Sequence, residues 1–143
     1  MKNMTTTLLA LGLIGAALPQ AQAADSELIL TVTDIASPQG TLMVAVFNEE
    51  AAWNGGAPVT GARIEVNEAT VTASLGQLPH GQYAIRMYHD VNDNGELDTN
   101  LMGIPSEPFA FSNNAQGRFG PAAWDDAVFE IGADAVRHTV RLD

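Results

Sequence analysis

Alternation with a period of two governs this chain, in short runs separated by turn residues, and helical periodicity is hard to find. Such a run buries one face only as a strand, because successive strand side chains point to opposite sides. Residues 27–34 place Leu28, Leu30 and Val32 on one face. Residues 41–47 are more continuously apolar, as suits a central strand. Residues 63–66 and 69–75 read as two strands joined by Asn67-Glu68. Residues 82–89 set Tyr83, Ile85 and Met87 against Ala84, Arg86 and Tyr88, and residues 127–131 and 136–142 complete the set. Seven short strands, with turn signals at 37–40, 54–58 and 78–81, predict an all-β fold: an antiparallel β-sandwich, immunoglobulin-like or prealbumin-like. There is no internal repeat or linker, so residues 24–143 read as a single domain.

Residues 90–126 break this rhythm and are rich in Gly, Pro, Asn and Asp. Structureless stretches of that length are uncommon in compact domains and are usually functional or disordered. Phe109, Phe111, Phe119 and Trp124 argue against disorder, since aromatic rings are costly to leave in water. One long ordered loop, folded against the sandwich, is expected.

The start of this loop carries D-x-N-x-N-G-x-x-D. Asp90, Asn92 and Asn94 stand at positions 1, 3 and 5 of a calcium loop, and Gly95 at the sharp turn. Glu96 would offer its carbonyl, Leu97 would tuck into the core, and Asp98 would bind directly or through water. Alternate residues of a tight turn converge on one point, and their oxygens suit a hard cation such as Ca²⁺. Position 12 is Leu101, not the bidentate Glu of an EF-hand, and no helices flank the loop. The remaining ligand is therefore assigned to Glu107, the nearest downstream acid, brought back by the turn-prone Gly103-Ile-Pro-Ser. So much amide in the shell implies weak affinity, of order 10⁻⁴–10⁻³ M. An ordinary polar hairpin turn is the competing reading.

Charge and composition exclude several classes. The chain has 17 acidic residues against six basic ones, for a formal charge of −11. Such a surface repels phosphate backbones and anionic headgroups, so no nucleic acid partner is expected. The absence of cysteine excludes disulfides, thiolate nucleophiles and zinc–thiolate sites. At the N-terminus, Lys2, an apolar run at 8–18, the breakers Pro19 and Gln20, and Ala21-Gln22-Ala23 form the layout of a secretory signal peptide, residues 1–23. The run is shorter than the ~17–25 residues that span a bilayer, so no membrane anchor is expected. The mature chain would begin near Ala24, periplasmic or secreted, with an unidentified envelope component as partner.

The stretch from Tyr88-His-Asp-Val-Asn-Asp-Asn-Gly-Glu-Leu-Asp98 through Gly103-Ile-Pro-Ser-Glu107, followed by Phe109-Ala-Phe-Ser-Asn-Asn-Ala-Gln-Gly-Arg-Phe-Gly-Pro121 and Asp126-Ala-Val-Phe129, resembles the bacterial secreted family known as domain of unknown function 2141. Gly81-Gln-Tyr-Ala-Ile85 fits a strand of that family too. The resemblance covers nearly the whole mature chain and is densest over residues 81–129. It implies a signal peptide and one all-β domain, and carries no activity with it. The loop at 90–98 is also similar, more locally, to calcium loops of prealbumin-like modules in bacterial surface proteins.

Two other readings compete for the same region. A metal-dependent enzyme would draw on His89, Asp98, Glu107 and Asn113. A sugar- or peptide-binding module would use Phe109, Phe111, Ser112, Asn113, Asn114 and Trp124, since exposed aromatics beside amide side chains hold such ligands. Neither G-x-S-x-G nor S-x-x-K is present, and His80, His89 and His138 lack zinc-ligand spacing. No catalytic constellation is therefore expected; His80 and His138 read as surface residues.

Overall fold

The computed structural model describes residues 24–142. The segment read as a signal peptide lies outside them. Among the described residues, eight strands form two sheets: β1 (Ser26–Thr33), β2 (Thr41–Phe47), β3 (Thr60–Glu65), β4 (Val71–Leu78), β5 (Gly81–Asp90), β6 (Phe109–Phe111), β7 (Phe129–Ile131) and β8 (Val136–Arg141). The smaller sheet runs β4-β1-β8 and the larger β3-β2-β5-β6, with β7 also paired to β5. Both sheets turn an apolar face inward. Leu28, Leu30 and Val140 from one meet Leu42, Val46 and Ile85 from the other in a common core. The expected β-sandwich is present.

Three pairings go beyond the strand pattern. The first and last strands, β1 and β8, run parallel, while the other pairs are antiparallel. β3 and β4 do not form a hairpin: β3 pairs with β2 and β4 with β1, so residues 66–70 carry the chain between sheets. The long β5 offers one edge to β2 and divides the other, with β7 against residues 81–83 and β6 against residues 86–88.

Residues 90–126 are not one continuous loop. They contain β6, a 3-10 turn at Ser112–Asn114 and most of the short helix α2 (Trp124–Ala127). β6 has three residues, between Pro108 and the Ser112 turn, too few to register as alternation. A further helical turn, α1 (Glu50–Trp53), precedes the 54–58 loop. Both helices serve one purpose. Trp53, Trp124, Phe111, Phe47 and Ala84 form a second apolar cluster on the outer face of the larger sheet. The Trp53 ring meets the rings of Phe47, Phe111 and Trp124 edge-on at 5.5–6.2 Å. That packing explains why Ala84 is as fully buried as Ile85 on the opposite face of β5, and it anchors Phe111 and Trp124.

Candidate metal centre

β5 ends by feeding His89 and Asp90 into the interior, 1 % and 0 % exposed. Thr41 of β2 pairs with Asp90, and Gly40 lies directly against the Asp90 carbonyl oxygen and Val91. A Cβ at Gly40 would overlap that oxygen, and its φ of +75° already favours glycine. Glycine is required here for the strand end to close on the loop. His89 is held as a strand-end residue: Nε2 meets the Gln39 carbonyl at 2.6 Å, and its amide donates to Pro108 O.

From Asp90 the chain turns tightly, with Asp93 and Gly95 at positive φ. The amides of Asn94 and Gly95 donate to the two oxygens of Asp90, at 3.0 and 2.7 Å. The Asn92 and Asn94 side-chain oxygens accept the amides of Asn94 and Glu96. The same two side chains reach Asp98 with Nδ2, at 2.7 Å to Oδ2 and 2.9 Å to Oδ1. Asn92 and Asn94 thus meet Asp98, and Asp90 and Asn92 share the Asn94 amide. Asp93 turns away and accepts from Thr41 Oγ1 at 2.7 Å.

Residues 98–106 then double back as a small hairpin, with Thr99 bridged to Pro105 and the Ser106 amide donating to Asp98 O. Asn100 shapes its tip, its side-chain oxygen accepting from the Met102 and Ile104 amides. The hairpin delivers Glu107, 9 % exposed, to both ends of the acidic loop. Oε1 accepts the Val91 amide at 2.9 Å and Oε2 the Asp98 amide at 3.1 Å. Glu107 is therefore a clasp across the loop, a role that spacing alone does not reveal. The Tyr88 phenol, which donates to Gly95 O at 3.1 Å, is pushed above its ordinary pKa by burial and then by the charges of Asp90 and Glu107.

Two expectations need correction. Leu97 does not tuck into the core: it stays partly exposed on the outer face, because the loop's apolar side turns toward the 98–106 hairpin. His138 is no free surface residue: it stacks on Phe129 at 4.2 Å and accepts the Asn113 amide at Nε2. His80 Nε2 lies 3.2 Å from Ser26 Oγ, which donates its own proton to Gly132 O.

The residues considered for other ligands are scattered or engaged. Ser112, fully buried, accepts the Ile85 amide and donates to Ala127 O. Asn113 Nδ2 donates to Asp126 O and Val128 O, and Asn114 Oδ1 accepts the Arg141 amide. These bonds tie β6 to α2 and β8. Phe111 and Trp124 are buried, and Phe109 is open to solvent. His89 and Asn113 do not meet: Phe111 opposes Arg86, three residues or about 10 Å along β5 from His89, and Asn113 lies beyond it. Among the described residues, no three His, Cys, Asp or Glu side chains group as a metal cluster, so the converging set here is part amide. No helix among them is long and apolar enough to cross a membrane.

Fold and loop together define a small β-sandwich with an Asp/Asn loop mounted on the end of one of its central strands. Residues 30–139 match the family of uncharacterised proteins conserved in bacteria, domain of unknown function 2141, and the chain belongs to it. No curated protein and no solved structure matches it.

Proposed function

We propose that this protein is an exported calcium-binding β-sandwich with a binding or structural role at the cell envelope. One observation carries the reading: Asp90, Asn92, Asn94 and Asp98 converge within hydrogen-bond reach, on a loop whose two ends Glu107 clasps. Their oxygens and the Glu96 carbonyl offer a hard cation about five ligands, with water or Glu107 completing the ~6–8 that Ca²⁺ takes. The Asp90 and Asp98 carboxylates offset part of its charge, and the amides keep affinity modest. The Lys2 and Ala21-Gln-Ala23 layout supports export with cleavage before Ala24, to the periplasm or beyond. An envelope component is the expected partner.

The test is thermal unfolding in EDTA and in ~10 mM CaCl₂. With Kd of order 10⁻⁴–10⁻³ M, linkage stabilises the folded state by about 1.4–2.7 kcal/mol. Asp90→Ala should abolish the rise. Asp98→Asn, at a half-exposed position, should fold normally in EDTA and lose most of it. An identical melting temperature for the wild type in both buffers would reduce the loop to an ordinary turn.

A further inference from the structure

The described residues cover only half of the outer face of the larger sheet. Beyond the Trp53 cluster, a floor of Met43, Ala45, Arg86 and Tyr88 lies open between the 98–106 hairpin and the 117–121 loop. The resulting cleft encloses about 940 Å³, toward the upper end of small-molecule sites. Seven large apolar side chains are exposed among the described residues. All but Val59 belong to this cleft or to the hairpin and loop that wall it: Leu97, Leu101, Met102, Ile104, Phe109 and Phe119. A contiguous exposed patch of that kind marks a binding surface.

Arg86 indicates what binds. Among the described residues it is the single charged side chain lining the cleft. Its guanidinium is wedged against the rings of Phe47 and Trp53, 4.8 and 4.3 Å from their centroids. Nη2 donates to Trp53 O at 2.6 Å, but Nε is buried with no acceptor among the described residues. Among the described residues no carboxylate lies within ion-pair distance of it, although the chain has 17 acids. Ring faces attract the cation but accept no hydrogen bond as an anion would. Desolvated charges in proteins are ordinarily paired. Burial accordingly pulls the Arg86 pKa below its ordinary value, with no anion opposing it.

We infer that the cleft binds an alkyl carboxylate of the fatty-acid class, its chain on the apolar walls and its head group at Arg86. The inference is independent of the cation site. The test is titration calorimetry of the mature protein with decanoate and with decanol, in EDTA so that calcium soaps cannot form. Decanoate should bind roughly tenfold more tightly than decanol, the scale of one charge-assisted hydrogen bond. Arg86→Met should erase that difference while leaving decanol binding in place. Ile104→Asp, on the exposed rim, should weaken both ligands. If Arg86→Met fails to fold, the head-group comparison on the wild type still decides. Equal affinities, or no binding of either ligand, would overturn the inference. A wild-type dimer that Ile104→Asp splits, with no decanoate bound, would overturn it too and assign the cleft to a second copy of the chain.

Discussion

Glu107→Gln separates the clasp from an ordinary loop contact. The carboxylate accepts one backbone amide on each oxygen, at 2.9 and 3.1 Å, in a site 9 % exposed. A glutamine keeps the shape but turns one acceptor into an NH₂ donor, which must face the amide of Val91 or Asp98. An unsatisfied buried donor costs about 1–3 kcal/mol. Taking about 2 kcal/mol, and roughly 0.25 kcal/mol/K of unfolding entropy for a domain of this size, the melting temperature should fall by roughly 8 °C in EDTA. Urea titration would give the same loss as a lower midpoint at unchanged slope. Glu96→Gln is the control, because the Glu96 side chain is exposed and should change stability by under ~0.5 kcal/mol. In calcium the Glu107→Gln gap should widen, because the substitution also removes a negative charge beside the ion. Equal gaps in the two buffers would confine Glu107 to the clasp. A Glu107→Gln protein as stable as wild type in EDTA would refute the clasp itself.

Gly40→Ala should destabilise by about 2 kcal/mol or more, from the positive φ and the overlap with Asp90 O, and should show as a matching loss in urea midpoint. Burial lowers the His138 pKa below 6.5, and its Nε2 must be unprotonated to accept the Asn113 amide. The unfolded chain therefore binds the proton more readily, so this contribution is complete above pH 6.5 and is lost as pH falls toward the lowered folded value. The urea midpoint should drop between pH 7.5 and 5, and His138→Gln should remove that part of the slope. N-terminal sequencing of the exported protein should read Ala24-Asp-Ser-Glu; a soluble periplasmic chain still starting at Met1 would sink the export reading.

What the sequence determines by itself is local. Alternation assigns a buried face, so Leu28, Leu30 and Val32 in β1, and Tyr83, Ile85 and Met87 in β5, are legible from the order of residues alone. The 90–98 spacing likewise specifies a turn on which Asp90, Asn92, Asn94 and Asp98 converge, because ligands two residues apart on a tight turn need no distant partner to meet. Partners are not legible. That β1 runs parallel to β8, that β3 and β4 part into different sheets, and that β6 and β7 share one edge of β5 are choices among strands of similar pattern, settled by how the whole core closes. Arg86 gives the one available hint, a charge in the middle of a strand otherwise largely buried, but its meaning requires Trp53 from the far side of the 54–58 loop. Glu107 is legible as an acid near the loop; its two amide bonds exist only once the hairpin folds back. Only the tertiary structure decided where the long-range contacts formed, because a sequence period records which side of a strand is buried and carries no record of what buries it.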